Sequence, residues 1–261
     1  MKVNRKIAVI TALVLVALAA FGLGACKGNK APAKDDKAPA TNEAYTLYKT
    51  AFEKFQSAEG ITMGLNTNIS DGQDFTIDMK GTVAFNRLSS DKTELKMDEK
   101  INLLGTAVDT VAYYKDGFLY ADAAGQKIKQ ALSESDILPQ TKPAGELLPE
   151  SVVKDAKVKD VAAGREISFA VDGKAFENLL KEPLEIVKLS NSDVTFKDAK
   201  VVVVVSKDGD LISQSVTFDF SVKVEKNAID AKMTMNMRDI KFGKVTIDFP
   251  KDLDSYKETK V

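Results

Sequence analysis

The chemistry open to this chain is set by its sulfur-bearing and titratable residues and by where they fall. It has no histidine and a single cysteine, Cys26. Without imidazole there is no Ser-His-Asp relay and no imidazole acid-base catalysis. Zinc and most transition metals likewise lose their usual His and Cys ligands. Carboxylates remain, but they sit on the polar phase of alternating segments or at turns, as on a solvated face. Asp71, Asp74, Asp208 and Asp210 flank glycine-bearing turns and could in principle ligate calcium. Neither stretch has the loop spacing of an EF-hand, and hairpin turn chemistry accounts for all four. The expectation is a protein that is not an enzyme, with no catalytic residue, metal or cofactor.

What remains is apolar. Met63, Met79, Met97, Met233, Met235 and Met237 all fall on the apolar phase of segments that alternate like strands, and Phe218 and Phe220 share that phase. Methionine is flexible and polarizable, and suits a surface that repacks around varied apolar partners. These eight side chains are the candidate lining of an apolar pocket. Ordinary core packing would place apolar residues at the same positions, so two readings stand side by side.

Cys26 has a different neighbourhood. Lys2, Arg5 and Lys6 precede Ile7 to Leu23, 17 uncharged and almost wholly apolar residues, and then Gly24 and Ala25. A basic start, an apolar middle and a small-residue end make a secretory leader. An uncleaved span is second best, since crossing a bilayer takes about 20 apolar residues. Leu23-Gly24-Ala25-Cys26 resembles the lipobox, where the sulfur receives a diacylglyceryl group and the chain is cut before it. Residues 1–25 are therefore expected to be a lipoprotein signal peptide, and Cys26 the lipidated residue. The acyl chains would hold the protein on the extracytoplasmic face of the cell membrane. Residues 27–41 are small, charged or Pro with no apolar period, a flexible tether spanning on the order of 20 Å.

The domain these features serve should occupy residues 42–261. Removing Lys2, Arg5 and Lys6 with the leader leaves 34 basic and 38 acidic residues, a charge of −4, so nucleic acid is not an expected partner. With no second cysteine there is no disulfide within the chain, and a hydrophobic core must stabilise it. Tyr45, Tyr48, Phe52 and Phe55 recur at helical spacing between Asn42 and Ala58, with Thr41 or Asn42 as cap and Gly60 as stop. The period then changes to two. Strands are expected around Ile61–Ile69, Phe75–Phe85, Leu95–Leu103, Val108–Tyr114 and Phe118–Ala121, with turns at Ser70-Asp71-Gly72-Gln73 and Asp116-Gly117.

Residues 125–155 have little pattern. Pro139, Pro143 and Pro149 break them, leaving a short helix near Ile128 to Leu132 and an irregular crossover. A strand near Glu166–Val171 should lead to a second helix with Phe176, Leu179, Leu180, Leu184 and Val187 on one face, Asp172 as N-cap and a kink at Pro183. Long strands follow: Val194–Ser206, Leu211–Glu225, Ala228–Phe242 and Val245–Phe249. One helix with long strands in each half hints at internal duplication, without an obvious repeat. The fold class is α+β, a large curved antiparallel sheet, an open half-barrel, wrapped around helices to cover its apolar face.

Three stretches carry a family resemblance: NEAYTLYKTAFEKF from Asn42, YYKDGFLYADAAGQKIKQAL from Tyr113 and VVVVVSKDGDLISQSVTFDFSVKV from Val201. Together they look like an uncharacterised family of Gram-positive lipoproteins, similar in fold to the LolA and LppX type of lipoprotein and lipid carriers. The resemblance implies an open barrel of about eleven strands closed by helices, with an apolar interior that in some relatives binds acyl chains. It implies no catalytic residues. A chain tethered by its own lipid fits a stationary acceptor or sensor better than a shuttle. The expected function is a membrane-anchored, non-enzymatic lipoprotein binding a lipid or other hydrophobic ligand. The alternative is a structural or protein-interaction module of the cell envelope with a filled core and no ligand.

Replacing Cys26 by Ala should release or mislocalise the protein without unfolding it, since Cys26 lies outside the domain. Radiolabelled palmitate feeding with fractionation checks this, and a C26A chain that still takes up label would overturn the anchor.

Overall fold

Alternation beginning at Gly60 makes strands with one apolar and one polar face, and among the described residues those strands pair into a single 13-stranded sheet. The computed structural model describes residues 39–73, 76–89, 92–103, 105–123, 125–132, 148–177, 194–224 and 227–258. Cys26, the leader and the tether to residue 38 lie outside these, as do Asp74, Phe75, residues 133–147 and residues 178–193. Leu179, Leu180, Pro183, Leu184 and Val187 are therefore not placed.

Helix α1 spans Pro39–Ser57. Twelve strands follow in two meanders of six. The first is β1 (Gly60–Ser70), β2 (Thr76–Ser89), β3 (Lys92–Leu103), β4 (Thr106–Lys115), β5 (Phe118–Ala123) and β6 (Gln126–Ala131). The second is β7 (Val153–Val161), β8 (Gly164–Val171), β9 (Val194–Phe196), β10 (Ala199–Val205), β11 (Leu211–Val224) and β12 (Asn227–Phe242), with a helical turn α2 at residues 173–177 between β8 and β9. A last strand, β13 (Lys257–Glu258), closes the count. The order is β13-β6-β5-β4-β3-β2-β1-β12-β11-β10-β8-β7, with β9 beside β11. Every pairing is antiparallel except that of β13 with β6. The meanders meet where β1 pairs with β12, so the first and last long strands lie side by side at the middle of the sheet.

Among the described residues only α1 covers the inner, apolar face along a full helix. It packs on β7, β8, β10 and β11, with the Tyr48 ring edge-on to Phe169 at 5.3 Å and Phe55 against Phe242 at 6.1 Å. Tyr48, Phe52 and Phe55 are buried as the helical period requires; burying side chains of this size contributes roughly 1.5–3 kcal/mol each. Lys54 ties the helix to the β10–β11 turn, pairing with Asp210 at 3.0 Å and donating to the Asp208 carbonyl. Among the described residues no helix is long and apolar enough to cross a membrane.

Several expectations are corrected here. Helix α1 starts at Pro39, so Thr41 and Asn42 lie within its first turns and do not cap it; proline suits a first helical turn because the missing N–H would have no partner there. The helix expected at Ile128–Leu132 is β6. Gly125, at φ +83°, turns the chain back from β5, and its N–H bonds to the Asp122 carboxylate at 2.9 Å. A bulged strand, β7, occupies Val153–Val161, where no strand was expected; its first three residues fall in the stretch expected to be irregular. The single strand expected at Val194–Ser206 is two, broken at Lys197-Asp198, where the Asp198 carboxylate instead accepts the N–H of Gly173 at the start of α2. Asp172 does cap that turn: its Oδ1 accepts from the N–H groups of Lys174 (3.0 Å) and Ala175 (3.2 Å). Its carboxyl is held below the usual range, first by the Lys154 ammonium and then by the Ala175 N–H.

Val245–Phe249 is not a strand but the start of a strap across the polar, outer face. Asn86 holds its beginning: the Val245 N–H donates to Asn86 Oδ1 at 2.8 Å, and Asn86 Nδ2 donates to the Val245 carbonyl. Farther on, Phe249 meets Tyr113 and lies under the Lys115 ammonium, and Tyr256 stands edge-on to Tyr120 at 5.6 Å. A segment held by one bracket and two rings has no need of ladder hydrogen bonds until β13.

Replacing Asn86 by Ala leaves Val245 without its partner and should cost about 1–3 kcal/mol. Urea unfolding should show a lower midpoint, and limited proteolysis should find earlier cleavage at residues 244–256.

Candidate functional site

Strand register decides which apolar side chains meet. On the inner face β12 sets Met233, Met235 and Met237 opposite Ile69, Thr67 and Leu65 of β1, and opposite Phe218, Val216 and Gln214 of β11. Met79 lies across from Thr67 on the other side of β1, and Phe220 across from Ala231. Met63 faces Val83, which in turn faces Met97 of β3. The eight candidate side chains thus share the inner face, but not one environment. Met79, Phe218, Phe220, Met233, Met235 and Met237 are between 1% and 3% exposed and belong to the packed core, with Phe218 also 4.7 Å from the Phe176 ring. Met63 and Met97 are only partly buried.

Burial falls away toward the first meander. Ile101 and Leu119 join Met63 and Met97 as partly buried, and Ile128 on β6 is 43% exposed. The inner face is therefore closed under β10–β12 and looser around Met97, Ile101, Leu119 and Ile128, although Leu95 and Tyr114 beside them on β3 and β4 are buried.

One side chain in the looser part breaks the alternation. Glu99 stands between Met97 and Ile101 on β3, facing Gly81 of β2 and Thr110 of β4. Strand alternation from Leu95 to Leu103 asks for an apolar residue there, so the acid itself was the signal in the sequence. Gly81 makes the room: a Cβ on it would lie 2.9 Å from Glu99 Cγ and 2.4 Å from the Asp98 carbonyl oxygen. Among the described residues nothing bonds to or pairs with the Glu99 carboxylate. Loss of water is what pushes its carboxyl above the usual glutamate range. A second polar atom without a partner on this face is the buried Oε1 of Gln214, between Val203 and Met237.

The outer face offers a polar hollow of about 420 Å³ at the far end of β1, β11 and β12, lined by Asn68, Lys197, Asp219, Asp230 and Lys232 among others. Of the eight candidate residues only Phe220 borders it. The turn aspartates do turn work: Asp71 Oδ1 accepts from the Gln73 N–H at 2.9 Å, and Asp210 pairs with Lys54. Among the described residues no three His, Cys, Asp or Glu side chains gather as they would around a metal ion.

No family model matches the chain, and no curated protein matches it. Solved structures do resemble it. LprF from Mycobacterium bovis has a TM-score of 0.42 at 12% identity, covering 80% of this chain and 97% of that one. A LolA superfamily protein, NE2245 from Nitrosomonas europaea, has a TM-score of 0.31 at 8% identity, over 78% and 94% of the two chains. A DUF1329 family protein from Desulfovibrio piger gives 0.28 at 9% identity, over 78% and 94%. Among the described residues there are thirteen strands in place of the expected eleven or so. At these scores and identities the likeness transfers no ligand, site or role.

Between the usual carboxylate range and Glu99's raised one, the folded chain holds a proton that the unfolded chain has released. Stability should therefore fall as pH rises through that window. Glu99→Gln removes this contribution: the variant should unfold at higher urea than the parent at neutral pH and lose the advantage below the ordinary glutamate range. Equal midpoints at neutral pH would show that the carboxyl is well solvated.

Proposed function

We propose that this chain is a non-enzymatic lipoprotein of the cell envelope, lipidated at Cys26 and held on the extracytoplasmic face of the membrane. It binds a lipid or other hydrophobic molecule on the inner face of its sheet. The observation that carries this reading is the uneven closure of that face. Where β10, β11 and β12 meet α1, apolar side chains fill the space; on β3, Met97 and Ile101 stay partly open to solvent on either side of an unpaired acid, and Leu119 of β5 is likewise partly open farther along the face, opposite Tyr114. A core built only for stability has no reason to stop short there, since each exposed apolar side chain forgoes burial at roughly 25 cal/mol per Å². The ligand site is therefore the first-meander half, with Met63 and Met97 as the candidate residues that reach it. Met79, Phe218, Phe220, Met233, Met235 and Met237 form the packed floor behind it.

A specific observation favours the other reading. Six of the eight candidate side chains are 3% exposed or less, as a filled interaction module would have them. That module would act through its outer face, where the strap and the hollow at Lys197 and Lys232 lie.

Native mass spectrometry of the Cys26→Ala chain, purified from cells without detergent, separates the two. Lipid bound at one molecule per chain and recovered in an organic extract is the expected result and names the ligand class. A bare chain mass that stays unchanged after incubation with phosphatidylglycerol vesicles would overturn lipid binding and leave the interaction module.

A further inference from the structure

Glu99 destabilises the sheet where it stands. A carboxylate drawn out of water without a compensating bond is unfavourable, and no described residue offsets that. Its own strand supplies Met97 and Ile101 on the same face; β2 supplies Met79, Gly81 and Val83; β4 supplies Val108, Thr110 and Ala112. Nearby lysines cannot help, because the pleat turns them to the outer face, where Lys96 pairs with Asp98 at 3.0 Å and Lys100 with Asp109 at 3.4 Å. Glu99 is the one charged side chain at the inner-face positions of residues 61–69, 77–85, 93–103 and 106–114. Two local features look arranged around it. Gly81 leaves space on one side that any other residue would close, and Thr110 places a small hydroxyl-bearing residue on the other.

Resting on the inner-face reading above, we propose that Glu99 is the polar anchor of the site, and that its ligand is an amphiphile whose head group donates hydrogen bonds and carries no negative charge. An ionised carboxylate has acceptors only. A hydroxyl or ammonium head provides the donor that the protein withholds, and charge assistance strengthens that bond in a poorly hydrated setting. A carboxylate or phosphate head in the same place would set two negative charges against each other. The apolar chain lies over Met97, Ile101 and Leu119, so one site separates amphiphiles by head group while tolerating variation in the tail, as flexible methionine permits.

The test uses the full-length Cys26→Ala chain and its Glu99→Gln variant at mildly alkaline pH. N-phenyl-1-naphthylamine, an uncharged fluorescent probe, is bound first and then displaced by monoolein or by oleate, both below their aggregation concentrations. These two lipids share one tail and differ in the head. With Glu99 present, monoolein should displace the probe at a concentration lower by about tenfold than oleate, the scale of one charge-assisted hydrogen bond. In Glu99→Gln, a near-isostere without the charge, oleate should improve and the gap should close to within about threefold. A gap that persists in Glu99→Gln, or oleate preferred by the parent chain, overturns the anchor while leaving lipid binding intact. Failure of the parent chain to bind the probe and both lipids, with its fold confirmed by circular dichroism, removes the inner-face reading and this inference with it.

Discussion

The pairing of β1 with β12 is the interaction on which the rest of the molecule depends. It joins the two meanders, and its register places Leu65 beside Met237, Thr67 beside Met235 and Ile69 beside Met233 on one face. Side chains alternate with a period of two, so a slip of one residue at this seam would turn every apolar position of one meander outward. A register shift between Thr62 and Gly64 is absorbed at the end of the seam, ahead of those three pairs. Burial of the same six side chains on one face is what makes the correct register the stable one.

So wide a sheet raises two further problems, and the chain meets each with an element outside the meanders. The apolar face needs cover, and α1 supplies it over the second meander with its row of Tyr48, Phe52 and Phe55. The polar face of the first meander is crossed by the C-terminal strap, with Asn86 at one end and Tyr120 and Tyr256 at the other. Among the described residues the sheet also ends in two edges. One is the two-residue β13; the other is β7, which carries Lys154, Lys157 and Lys159, a bulge between the first two, and Asp155 at φ +50°. Short length, lysines and a bulge are ways of keeping an edge from pairing with another chain.

Glu99 stands apart from this economy of burial. Elsewhere over residues 61–69, 77–85, 93–103 and 106–114 and along β10–β12 the inner face obeys its alternation or takes an uncharged residue, and Arg165, in line with Ile167 at the end of β8, is paired with Glu43 of α1 at 3.2 Å. Placing an acid opposite a glycine, in the less tightly covered half of the sheet, is the kind of local inconsistency that tends to coincide with binding or catalysis. Lipid binding and the head-group preference therefore both turn on the half of the face that stability alone leaves unfinished.

Composition and alternation by themselves determined that the domain is a sheet of long antiparallel strands with an aromatic helix before it. Period-two burial is a local property, and Ile69, Ile77 and Met233 show it in any window of the sequence. The Asp172 cap and the turns at Asp71-Gly72 and Asp208-Gly209 were legible for the same reason, since a side chain bonding two or three residues away needs no partner from elsewhere. Tertiary structure alone decided the rest. The ends of β9 and β10 depend on Asp198 meeting Gly173, and the strap at Val245 depends on Asn86, 159 residues distant. Which methionines are floor and which reach the open half depends on what lies across the sheet from each, a matter of register between strands far apart in the chain. Glu99 was visible in the sequence as a break in the pattern, but its isolation was not: only the pleat, which turns Lys96 and Lys100 to the opposite face, leaves it without a partner among the described residues.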